Sequence, residues 1–173
     1  MALTLDGPLA DRSAWATGER CSISRAMGVI GTRSTMLIIR EAWYGTTRFD
    51  DFAARVGITD AITSARLKEL VQAGILVKRP YRPDKGRTRH EYVLTHMGDD
   101  LVPIVLSLMQ WGDTYLQESA PLSVVDEDSG DTVRVSVTTA SGAPVDIDRL
   151  HLRVAQESPT TVGSVIVTDA EES

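Results

Sequence analysis

The stretch "GITDAITSARLKELVQAGILVKRPYRPDKGRTRHEYVLT", residues 57–95, changes period halfway along. Up to Gly74 the inward positions are Thr63, Leu67, Leu70 and Val71, the three- and four-residue spacing of one helix face. Gly74 is a natural end for that helix. Beyond it, "ILVKRP" (75–80) and "RHEYVLT" (89–95) read as strands, and "YRPDKGRT" between them supplies the Pro, Asp and Gly of a turn. The turn is also basic. Lys78, Arg79, Arg82, Lys85, Arg87 and Arg89 stand within twelve positions against one acid, Asp84.

Working outward, "RFDDFAARVG" (48–57) predicts a short helix with Phe49, Phe52, Ala53 and Val56 on one face, joined to the next helix through "GITD". "RSTMLIIREAWYG" (33–45) is apolar on most sides, so it predicts a core helix ending near Gly45. In "CSISRAMGVIG" (21–31), Ile23, Ala26, Met27 and Ile30 share a face, with Cys21 and Ser22 at the cap. Residues 1–20 read as a loose arm anchored by side chains such as Trp15. Downstream, Thr95 is the N-cap of a last helix to about Glu118, with a stripe from Leu101 through Leu108 and Trp111 to Leu116. Pro103 is expected to kink it early. Past Pro121, "VRVSVTT" (133–139) and "VDIDRLHLRV" (145–154) alternate around "SGAP", which predicts a β-hairpin appendage. "VIV" (165–167) adds a candidate strand before an acidic tail.

Charge is divided along the chain. The total is −6, yet residues 33–90 hold 12 Lys/Arg against 6 Asp/Glu, and residues 119–173 hold 3 against 10. A polyanion partner is therefore expected for the first part only. The single cysteine excludes an intrachain disulfide framework and any multi-cysteine zinc site, including a zinc ribbon in residues 121–173. No basic segment followed by an apolar core opens the chain, and no apolar run is long enough for a membrane span. The expectation is a soluble cytoplasmic protein. No H-E-x-x-H, P-loop, G-x-S-x-G or G-x-G-x-x-G pattern occurs, and His90, His96 and His151 are scattered, so no enzyme activity, metal or cofactor is expected.

Two helices on a short link, followed by a hairpin with a cationic tip, form a winged helix-turn-helix pattern. A helix can enter a major groove if its outer face is small and polar. Residues 60–73 present Asp60, Ala61, Ser64, Ala65 and Lys68 there. The hairpin cations can reach phosphates or a narrow minor groove, which explains why the positive charge is so local.

Residues 21–118 resemble the HxlR-type winged helix-turn-helix regulators of bacteria. The resemblance rests on Cys21, "LIIRE" (37–41), "RFDDF" (48–52), "GIT" (57–59), "ARLKELVQAGIL" (65–76), "HEYVLT" (90–95), Gly98 and "QWGD" (110–113). Arg33-Ser34 stands where the family often has Lys-Trp, and Thr63 where Leu is usual. The implied protein is a homodimeric transcriptional regulator on an inverted-repeat operator in double-stranded DNA. The expected fold class is α+β, mainly α: an arm (1–20), a winged helix-turn-helix domain with a long C-terminal dimerisation helix (21–118), and an acidic β-rich extension carrying the small hairpin (119–173).

By motif position, Asp60, Ala61, Ser64, Ala65 and Lys68 are the candidates for base-edge contact, and Arg66 for a phosphate or a neighbouring acid. Thr47 and Arg48 are candidate backbone-positioning residues, and Arg82, Lys85, Arg87 and Arg89 the wing cations; His90 and Tyr92 are expected to anchor the hairpin. Cys21, at a helix N-terminus, is the candidate redox sensor, because some members of the family carry an electrophile- or oxidant-sensing cysteine there. Met36, Trp43, Tyr44, Met109 and Trp111 are candidates for the lining of a small-molecule effector pocket. The rival reading is a protein–protein adaptor that keeps the winged fold without binding DNA.

Overall fold

A computed structural model describes residues 3–11, 21–82 and 88–154. In chain order the elements are β1 (Thr4–Leu5), α1 (Ser22–Ile30), α2 (Arg33–Trp43), α3 (Phe49–Val56), α4 (Asp60–Gln72), β2 (Leu76–Tyr81), β3 (Arg89–Leu94), α5 (His96–Asp99), α6 (Val102–Tyr115) and β4 (His151–Leu152). Local chemistry sets the helix starts. Cys21, Thr32, Thr59 and Thr95 each accept an N–H of the first turn through the side chain. Helix α3 lacks such a cap and carries Asp50 and Asp51 in its first turn instead. The link between α3 and α4 turns at Gly57, whose φ of +70° is left-handed and suits glycine.

Two compact units divide the chain, residues 17–136 and residues 1–16 with 137–173. In the larger unit α2 packs against α3, α4 and α6. Its core is Ile30, Ile38, Ile39, Phe52, Val56, Leu67, Leu70, Ile75, Leu76 and Val105. Thr63, where an apolar residue fits the pattern, is fully buried, and its hydroxyl donates to the Thr59 carbonyl at 3.0 Å. The buried Glu41 carboxylate is met by Arg40 Nη2 at 2.7 Å and by the Thr46 hydroxyl at 3.2 Å. Strands β2 and β3 pair antiparallel from Leu76↔Leu94 to Tyr81↔Arg89. The chain before α3 joins them as an Arg48↔Glu91 bridge, with the Tyr92 N–H donating to the Thr47 carbonyl at 2.7 Å. Gly98 presses against the start of the wing, where a Cβ would lie 2.4 Å from the Ile75 carbonyl oxygen.

Two expectations meet a different outcome. The last helix is broken rather than kinked: α5 ends at Asp99 and α6 starts at Val102 with Pro103 in its first turn. Pro103 has no N–H to continue the α5 ladder but suits the first turn of a new helix. The appendage hairpin is shorter than its alternation suggests. It closes with a Thr138↔Pro144 bridge and a Val145 N–H to Val137 carbonyl bond of 3.0 Å. Residues Ile147–Arg149 then turn as a 3-10 helix, and β4 pairs in parallel with β1 instead. The larger unit also takes in residues 119–136. Gln110 on α6 donates to the Val133 carbonyl at 2.9 Å and accepts the Val135 N–H at 3.1 Å, which holds that segment on the helix. Trp15 and the "VIV" segment lie outside the described residues.

Candidate nucleic-acid interface

Helix α4 has two unlike faces. Thr63, Leu67 and Leu70 are buried, whereas Asp60, Ala61, Ser64, Ala65 and Lys68 are all exposed. The exposed side chains are short apart from Lys68, so a surface can approach the helix backbone closely. Arg66 is half-buried and ion-paired with Glu69 on the same helix, the neighbouring acid of its two candidate partners.

The wing root lies against the start of α3. Arg48, Asp50, Asp51, Lys78, Tyr81, Arg89, His90 and Tyr92 line an open groove of about 530 Å³ there. The Arg48 guanidinium lies over the Tyr81 ring at 4.8 Å, and Lys78 Nζ lies 6.0 Å from the Tyr92 ring centre. Arg89 reaches Asp50 at 4.0 Å across the groove. Burial pushes the Tyr92 hydroxyl above the usual tyrosine range. Tyr92 is thus half-buried at the root, while His90 is exposed. Thr47 reaches the wing through its main-chain carbonyl. Arg82 is exposed, and Lys85 and Arg87 lie outside the described residues. Tyr81 was not singled out from sequence, and Lys78 was counted among the cations of the turn but not among the candidate contacts. The available signal was their place on the strand entering the basic turn.

Elsewhere in this unit, Cys21 Sγ accepts the Ser24 N–H at 3.5 Å, and the residue is half-buried. Several apolar side chains of α1 and α6 are exposed among the described residues. Ile23 and Met27 are 76% and 55% exposed, and Trp111 and Tyr115 are 55% and 70% exposed. Of the effector candidates, Met36, Tyr44 and Met109 line one cavity between α2 and α6. Trp43 packs against the core, and Trp111 is outside that lining. Arg40 and Asp113 reach the same cavity, and sequence reading had missed both. Among the described residues no group of three or more His, Cys, Asp or Glu forms a metal site, and no helix is long and apolar enough to cross a membrane.

Comparison with known proteins places these features in a family. The family model for HxlR-like helix-turn-helix proteins matches residues 29–120. An uncharacterized HTH-type transcriptional regulator of Mycobacterium tuberculosis is 45% identical over 95 residues, which are 55% of this chain and 59% of that protein. The match thus spans less than two thirds of that relative. The crystal structure of PA1607, a protein assigned as a transcription factor, superposes with a TM-score of 0.69 at 33% identity and covers 82% of this chain and 98% of its own. That coverage exceeds what residues 29–120 supply, so the likeness runs beyond the matched domain. The redox regulator HypR in its reduced form gives a TM-score of 0.50 at 28% identity, covering 55% of this chain and 93% of its own.

Proposed function

The chain belongs to the HxlR-like helix-turn-helix family, and from that premise we propose that it is a cytoplasmic transcriptional regulator holding operator DNA as a homodimer. Helix α4 enters the major groove, and the wing cations contact the backbone or minor groove alongside. The observation that carries this reading is the α4 face from Asp60 to Lys68, exposed along its length and free of bulky side chains. Arg48 and Thr47, tied to the wing root, position the duplex backbone. The uncovered apolar residues of α1 and α6 support a two-fold seam, which sets two α4 helices about one DNA turn apart on an inverted repeat.

The test is a gel shift on DNA upstream of the protein's own gene, with competitor DNA and a salt series. Specific retention that weakens steeply with salt is expected. No affinity for any duplex in dilute buffer would overturn the reading.

A redox response through Cys21 is the second part of the reading. Its support is the thiol at the N-terminus of α1 and the likeness to HypR. Diamide is expected to release the operator from the parent protein and not from Cys21→Ser. Release from both proteins would remove Cys21 from the response.

A further inference from the structure

A cavity of about 350 Å³ opens between α2 and α6, at the low end of the range for small-molecule sites. Met36 on α2 and Tyr44 just past its end, Leu108 and Met109 on α6, and Leu122 beyond that helix make its walls largely apolar. Two charged groups reach it, Arg40 from α2 and Asp113 from α6, and they differ in what already meets them. Arg40 Nη2 lies 2.7 Å from the buried Glu41 Oε1 and its guanidinium lies 5.7 Å from the Tyr44 ring centre, so this cation already has an internal counter-charge, although its Nε has no partner among the described residues. Asp113 accepts a bond from Gln117 Nε2 at 3.1 Å, and among the described residues no cation pairs with it.

We propose that this cavity binds a small apolar monocation, an amine or quaternary ammonium on a compact hydrocarbon or aromatic body, with Asp113 as its counter-charge. Thioether sulfur and the Tyr44 ring are polarisable surfaces that suit such a cation. A carboxylate on a largely apolar wall interacts more strongly with a cation that displaces its water than it would in bulk solvent. An anion fits less well. Drawing Arg40 toward it weakens the bond to Glu41 and leaves that buried carboxylate with the Thr46 hydroxyl alone.

The consequence rests on the regulator reading above. Helix α2 packs on α3 and α4, whereas α6 carries exposed apolar residues of the seam. An occupant between α2 and α6 therefore alters how the reading helices are spaced in a dimer, and with it operator affinity.

The test is titration calorimetry on the full chain without DNA. Benzyltriethylammonium is the probe, and 4-tert-butylbenzoate is the anionic counterpart of similar bulk. One cation per chain is expected, with affinity reduced about tenfold or more in Asp113→Asn and lost in Met109→Trp, which fills the cavity. A thermal melt of each variant separates lost binding from lost folding. No heat from the cation at millimolar concentration, undiminished affinity in Asp113→Asn, or equal binding of the benzoate would overturn the site. A gel shift with and without the cation then reads the coupling. Binding that leaves operator affinity unchanged would overturn the regulatory consequence alone, whereas absence of DNA binding without the cation would overturn the regulator reading and leave the calorimetry standing.

Discussion

Lys68 is the long cation on the exposed face of α4, since Arg66 beside it is taken up by Glu69. A side chain placed to meet base edges discriminates between them. Lys68→Ala is therefore expected to cost about 1–3 kcal/mol on the preferred operator and much less on unrelated DNA, as read from affinities over a panel of single-base variants. Two other residues matter through packing. Gly98→Ala puts a methyl group onto the Ile75 carbonyl oxygen and Leu94, at 2.4 and 2.8 Å, and the first neighbour is backbone that cannot rotate away. A loss of about 1–3 kcal/mol in denaturant stability is expected. Glu41→Ala strands Arg40 and the Thr46 hydroxyl. Because Arg40 is a third exposed, about 1–3 kcal/mol is expected from the same measurement, below the range for fully buried pairs. These residues also mark how far a sequence can be read. The spacing of Thr63 announced an inward position, and its short-range bond to Thr59 follows from the hydroxyl alone. The tight spot at Gly98 and the network at Glu41 depend on where distant backbone and neighbouring side chains arrive, which no local pattern encodes.

At the scale of elements, the helix-to-hairpin switch in residues 57–95 was legible because burial forces period 3.6 on α4 and marks the strands of the wing differently. The groove at the wing root was not. It needs Arg48 on Tyr81 and the Thr47–Tyr92 bond, and these follow only from the hairpin folding back beside α3. The same holds for the appendage. Residues 145–154 alternate as a strand should, but the partner of His151–Leu152 is Thr4–Leu5, from the other end of the chain. Alternation names a face and leaves the neighbour open. For the wing itself, Arg82 is exposed, and on the proposed reading it supplies charge to the backbone rather than a base contact. Arg82→Ala is expected to weaken binding to all duplexes alike and to lower the slope of log affinity against log salt by about one unit. An unchanged slope would take Arg82 out of the interface.

For the whole molecule, the separation of charge and the uncovered apolar surface point the same way. Cations gather in residues 33–90 and acids in 119–173, so a field able to attract a polyanion is confined to one part of the chain. In the proposed dimer, two copies joined through α1 and α6 would double that part and turn the second contact into an intramolecular one. Sedimentation is expected to give a dimer at micromolar concentration. Trp111→Glu, at a 55% exposed position, is expected to give a monomer whose operator affinity falls on the order of a hundredfold.

The parallel pairing of Thr4–Leu5 with His151–Leu152, extended by the Asp6 N–H to Leu152 carbonyl bond of 2.9 Å, has a mechanical corollary. Force applied at the two termini pulls parallel strands along their length in opposite directions. The rungs are then loaded together in shear, where an antiparallel pair would unzip one rung at a time. Opposed loads at the two ends therefore strain both segments at once.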